Sequence, residues 1–95
     1  MTFGVKLSPV KYKLEISSKA KKDLQSLDPV VQKRIANKLK FFLGHKDPIS
    51  FAKKLVNSKD GDYRWRIGHY RVVFDVQGNV VLLLRVQHRR EVYKP

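Results

Sequence analysis

Ninety-five residues leave room for one domain and one modest core, and 42% hydrophobic with 11% aromatic residues is too apolar a composition for a disordered chain. The lack of cysteine excludes a disulfide framework or thiolate metal site, the three histidines are too scattered for a closed metal site, and no apolar run suits a membrane span or signal peptide, so a cytoplasmic location is expected. Twenty-one Lys and Arg against eight Asp and Glu leave a formal charge of +13, which favours polyanionic partners such as nucleic acid or an acidic protein.

Residues 1–9 carry Gly4 and Pro9 and read as an N-terminal arm of a single domain spanning 1–95. From Lys11 to Ser17, Tyr12, Leu14 and Ile16 alternate with Lys11, Lys13 and Glu15, the pattern of a half-buried strand. Ser17 or Ser18 then offers an N-cap to a short helix over Lys19 to Leu27, with Ala20, Leu24 and Leu27 at helical spacing. Asp28-Pro29 starts a second helix, with Val31, Ile35, Leu39 and Phe42 as its apolar stripe and Gly44 at its end. The two helices make an αα-hairpin. His45 to Asp62 is turn-rich; Phe51 to Val56 within it is ambiguous between helical turn and strand, and reads as connector.

The last third is strand after strand. Tyr63, Trp65 and Ile67 alternate with Arg64 and Arg66. After the tight Gly68-His69 connection, Tyr70, Val72, Phe74 and Val76 alternate with Arg71, Val73 and Asp75. Gln77-Gly78-Asn79 turns the chain into the nearly continuous apolar run Val80 to Val86. The expected fold is therefore α+β, in the order β-αα-β-β-β: an antiparallel meander sheet packed on an N-terminal helical hairpin.

Alternation fixes which side chains share a face. With Tyr63, Trp65, Ile67, Tyr70, Val72, Phe74 and Val76 toward the core, Arg64, Arg66 and Arg71 share the other side. Taking Leu82, Leu84 and Val86 as the core set of the last strand adds Arg85, Gln87 and Arg89 to them. Thirteen of the fourteen lysines lie in residues 1–60, whereas six of the seven arginines lie in 61–95. Arginine grips phosphate through two hydrogen bonds where lysine is a hydrated point charge. One reading is a phosphate-binding face able to neutralise charge during cleavage. The other is an open, solvated face of an antiparallel sheet.

Tyr63-Arg64-Trp65-Arg66-Ile67-Gly68-His69-Tyr70-Arg71-Val72-Val73-Phe74, together with Val86-Gln87-His88-Arg89-Arg90-Glu91-Val92-Tyr93, resembles the signature of the RelE/ParE toxin superfamily. Ser17 to Leu24 also looks like that family's first helix entry. The resemblance extends over residues 11–94 and points to its RelE-like mRNA interferase branch. It implies a type II toxin that cuts messenger RNA on the ribosome without metal or other cofactor, through attack of a ribose 2′-hydroxyl on the adjacent phosphate. An acidic cognate antitoxin is the implied partner, with ribosome and mRNA as targets and no membrane. By resemblance, the catalytic set is Arg64, Arg66, Arg71, Arg89 and Tyr93; Arg85, Gln87 and Arg90 are expected as RNA-binding residues beside them.

The best-known RelE carries lysines where this chain has Arg64 and Arg66. Arginine stays protonated at any useful pH and is no general base. His88 is the titratable candidate, although its strand parity places it toward the core, and a structural histidine at a strand end is the competing reading. His69 reads as a turn residue and His45 as a helix-end residue placed by the dipole. Glu91 either orients His88 or pairs with an arginine. Tyr93 either meets substrate or anchors the sheet, and with the sequence ending at Pro95 no C-terminal helix is expected. A ParE-like gyrase inhibitor and a catalytically weak RNA-binding relative are the alternatives.

Overall fold

The structure, a computed structural model, describes residues 12–92. The arm at 1–9 and Tyr93 therefore lie outside the described residues. Strand β1 (Lys13–Ile16) leads into α1 (Ser18–Gln25) and α2 (Pro29–Leu43). A 3₁₀ turn (Pro48–Phe51) and the short β2 (Lys53–Lys54) follow. Then come β3 (Tyr63–Ile67), β4 (Tyr70–Gln77), β5 (Val80–His88) and a single helical turn, α3 (Arg89–Val92). Among the described residues no helix is long and apolar enough to cross a membrane.

The strands form one sheet in the order β1-β5-β4-β3-β2. β2 to β5 are an antiparallel meander, as expected, but β1 runs parallel to β5, so the sheet is mixed. Parallel neighbours need a long crossover, and here most of the chain is that crossover. Gly68 and Gly78 open the two hairpin turns at φ 59° and 58°. That region of backbone is open to glycine at little cost, and its use at the first turn position is the type II′ pattern.

Local sequence sets the helices. Ser17 caps α1, its Oγ accepting from the Ala20 N–H at 3.1 Å and donating to the Leu84 carbonyl at 3.2 Å. Asp28 stands at the start of α2 ahead of Pro29, as expected, yet its side chain makes no capping bond. Gly44 ends α2 in a right-handed conformation, and the His45 imidazole Nδ1 lies 2.6 Å from the Phe41 carbonyl, among the helix's unpaired C=O groups. The segment Phe51 to Val56 contains both possibilities left open by its sequence, the end of a helical turn and a strand.

The core lies between α2 and one sheet face. Trp65 stacks on Phe74 with centroids 4.0 Å apart and on Phe42 at 4.9 Å, with Ile35, Leu39, Ile67 and Val72 around them. Its indole N–H donates to the buried Pro48 carbonyl at 3.0 Å, so the large ring is buried with its polar atom satisfied.

The last strand departs from its expected parity. Val73 pairs with Arg85 but Phe74 pairs with Leu83, which leaves Leu84 as the extra residue of a β-bulge. Before the bulge Val81 and Leu83 face the core; after it Val86 does. Leu82 and Leu84, expected in the core, are half-buried on the other face. The bulge flips the alternation, and a strand apolar on both sides conceals the flip.

Beyond the end of β1, α1 covers the edge of β5. The Asp23 carboxylate accepts from the Val86 N–H at 2.8 Å and from Arg85 Nε at 2.9 Å, with Arg85 Nη2 at 3.3 Å. An edge strand is thus closed by a side chain. This hydrogen bond and the opposing charge raise the Arg85 pKa above its ordinary value. The two side chains are only 30% and 18% exposed, so the pair is better shielded than a surface ion pair.

Asp23→Ala leaves the Val86 N–H and Arg85 without this acceptor, and is expected to cost about 2 kcal/mol in urea unfolding; Asp23→Asn, which keeps one carbonyl acceptor, should cost less. Gly61→Ala tests the far face of the sheet. A Cβ there would lie 2.7 Å from Val73 Cγ1 and 2.9 Å from Leu84 Cδ1. Because Val73 is fully buried and β-branched, it yields little, and a loss of about 1–3 kcal/mol is expected. An unchanged melting temperature would show that the 55–62 loop does not seal this face.

Candidate functional site

Burial of Trp65, Ile67 and Val72 sends Arg64, Arg66 and Arg71 to the opposite face. Arg66 and Arg71 stand directly across from each other on β3 and β4. Like charges at such a position repel. One concavity is lined by Arg64, Arg66, Arg71 and Arg89 together with Gly68, His69 and Tyr70. None of its lining residues is acidic.

Arg89 reaches this concavity from the end of β5. Its backbone N–H donates to the His69 carbonyl at 2.7 Å, tying the start of α3 to the β3–β4 turn. His69 sits in the β3–β4 turn, as expected, and the contact uses its backbone carbonyl. Arg90 is exposed and lines a neighbouring depression with His69, His88 and Arg89.

Arg85 stands apart from this cluster. It shares the face, but its guanidinium is engaged by Asp23, and its surface depression is lined by Ser17, Ser18, Lys19, Lys59, Asp60 and Leu84. The 55–62 loop covers the sheet between, with Gly61 over Val73 and Leu84 and the Asp62 N–H donating to Asp75 Oδ1 at 2.7 Å. The cationic face is therefore divided, and the concentrated charge sits at its β3–β4 turn end.

Gln87 pairs with Arg71 across β4 and β5. Arg71 Nε and Gln87 Oε1 are both buried without a hydrogen-bond partner.

His88 pairs with Tyr70, its ring edge-on to the tyrosine at 5.1 Å and near His69 at 6.1 Å. Its Nδ1 accepts from the Arg90 N–H at 3.0 Å, while its own backbone N–H donates to Glu91 Oε1 at 2.9 Å. These reciprocal bonds form a capping box for α3, with histidine in the place usually held by serine or threonine. Glu91 thus neither orients the imidazole nor pairs with an arginine in these contacts. With Nδ1 accepting, the neutral ring carries its proton on Nε2 and offers a donor there. The last turn of helix, unexpected from the sequence, is what commits His88 in this way.

Among the described residues no group of three His, Cys, Asp or Glu is placed to hold a metal ion. What the arrangement supplies is fixed positive charge and planar donor forks, the chemistry of phosphate binding.

Comparison with known proteins gives this geometry a family. The curated toxin RelG of Mycobacterium tuberculosis is 29% identical over 87 residues, covering 87% of this chain and 97% of that protein. The toxin–antitoxin complex RelBE2 of the same organism contains a chain superposable with a TM-score of 0.69 at 28% identity, covering 86% of this chain and 95% of that one. The archaeal RelE–RelB complex of Pyrococcus horikoshii matches with a TM-score of 0.65 at 29% identity, over 83% and 96% of the two chains. The model of the ParE toxin of the type II toxin–antitoxin system parDE matches residues 14–93, and the chain belongs to that family of toxins, within the RelE/ParE superfamily.

Proposed function

We propose that this toxin is an endoribonuclease that cleaves messenger RNA on the ribosome by attack of a ribose 2′-hydroxyl on the adjacent phosphate. The observation that carries the reading is the convergence of Arg64, Arg66, Arg71 and Arg89 on one concavity with no acidic residue in its lining. A loop or solvated sheet face has no need of such crowding, whereas an RNA backbone and the charge developing on its phosphorus do. Arg71 and Arg89 grip the scissile phosphate, Arg64 and Arg66 supply the surrounding field, and Tyr93 meets the substrate. The arginines themselves supply the charge stabilisation, so no metal or other cofactor is called on. Arg90 extends the backbone contact along the neighbouring depression. The solved relatives are complexes of RelE with RelB. By the same token an acidic antitoxin silences this chain, in the cytoplasm, drawn by its +13 charge.

A second reading has one finding in its favour: the matching family model is that of ParE. On that reading the chain poisons DNA gyrase and leaves messages intact. Primer extension on ribosomes carrying a defined message decides between them. Cuts within A-site codons, reduced about 10²-fold or more by Arg71→Ala, support cleavage. Intact messages with stalled gyrase–DNA complexes establish the alternative.

The role of His88 has its own test. Gln at position 88 presents an N–H near the place of Nε2, whereas Asn presents an acceptor near Nδ1. If the imidazole donates through Nε2, His88→Gln keeps most of the cleavage rate and His88→Asn keeps mainly the fold. A general base at this position predicts a loss of about 10²–10⁴-fold with either variant.

A further inference from the structure

Two buried polar atoms on the cationic face lack hydrogen-bond partners, and they are complementary: Arg71 Nε is a donor and Gln87 Oε1 an acceptor. Their residues are register partners on β4 and β5. Both side chains leave the sheet on the side away from the core, because Val72 and Val86 beside them are core residues. Cβ atoms at such positions stand about 4.5–5.5 Å apart. Arg71 also lines the arginine concavity, and Gln87 is its neighbour on the next strand.

A phosphate answers only half of this pair. Its oxygens accept from Arg71 but repel the carbonyl of Gln87, itself an acceptor. The carbonyl needs a donor, and a neutral one, since a cation would be repelled by the arginines. A hydroxyl next to a phosphate ester meets both demands, and that is what ribose offers at its 2′ position and deoxyribose lacks.

We infer that Gln87 is the residue by which this site tells RNA from DNA, its Oε1 accepting from the ribose 2′-hydroxyl while Arg71 holds the adjacent phosphate. This rests on the reading of RNA as the substrate. Both atoms are covered in the free protein, so the two side chains turn outward when the backbone binds, and their unmet hydrogen bonds favour that movement. Gln87 takes no proton. It orients the hydroxyl, and its place is that of a positioning and specificity residue.

The test is binding of the purified chain to one labelled oligonucleotide sequence in three forms: RNA, DNA and 2′-O-methyl RNA. The last keeps the phosphates and the 2′ oxygen but has no proton to donate. Wild type should prefer RNA to both others by about 3–10-fold, the value of one neutral hydrogen bond. Gln87→Met, close in shape but without the acceptor, should bring the three affinities together while leaving that for DNA unchanged, which also shows that the variant folds. Arg71→Ala should weaken all three alike. Equal affinities in wild type, or a preference that survives in Gln87→Met, overturn the inference even if messages are cleaved on ribosomes. A preference that vanishes in Gln87→Met supports it even if no cleavage is found, in which case the ribonuclease reading fails and the sugar recognition stands.

Discussion

Trp65 is sealed between Phe42 and Phe74, with its indole N–H given to the Pro48 carbonyl. A strand cannot bury one residue without presenting its neighbours to the other side, so this single burial places Arg64 and Arg66 together. β4 follows by register, and Val72 in the core puts Arg71 opposite Arg66. Magnitudes decide the contest between the two faces. Loss of a buried aromatic costs about 3–5 kcal/mol, whereas an unfavourable cross-strand charge pair costs about 0.2–1 kcal/mol. The apolar face therefore dictates the sheet, and the cationic face is held in a crowded arrangement that its own charges would not choose.

Edges complete what the core begins. β1 ends at Ile16, four pairs into its match with β5, and the rest of that strand would be left open. α1 takes over there, with Ser17 on the Leu84 carbonyl and Asp23 on the Val86 N–H and Arg85. The bulge at Leu84 lies at this handover, where strand pairing gives way to side-chain pairing. It also turns Arg85 outward and Val86 inward. Of the arginines on this face, one is thereby spent on structure while the others gather near the β3–β4 turn, on the far side of the 55–62 loop.

Much of this was legible in the sequence, and what was not has physical causes. The β3 and β4 alternation is unambiguous because arginine and aromatic residues contrast sharply, and the Ser17 cap and the Asp28-Pro29 start are local signals. β5 was misread because Val80-Val81-Leu82-Leu83-Leu84 is apolar on both faces, so nothing in it marks the change of parity. The partner of β1 was hidden for another reason: alternation announces a strand but not its neighbour. Asp23 lies 62 residues from Arg85, and no local pattern reports such a contact. The capping box His88-Arg89-Arg90-Glu91 does have the right spacing on the page. Histidine is an uncommon cap, however, and the strand pattern before it does not mark where the helical turn begins. The catalytic role expected of Tyr93 falls on a residue beyond those described.

That capping box bears on the chemistry more than its size suggests. By accepting the Arg90 N–H, His88 gives its Nδ1 lone pair to the fold and keeps only a donor for anything outside. The concavity beside it holds four arginines with Gly68, His69 and Tyr70. The arginines are donors only, whereas the His69 imidazole and the Tyr70 hydroxyl also carry acceptor lone pairs. Such a site is suited to holding a phosphate and to stabilising added charge, but its arginines offer no proton acceptor. In the proposed reaction the 2′-hydroxyl proton must then leave to a group other than an arginine: His69, Tyr93 or a group of the substrate complex. Arginine can stabilise the transition state of that reaction, but it cannot take the proton that starts it.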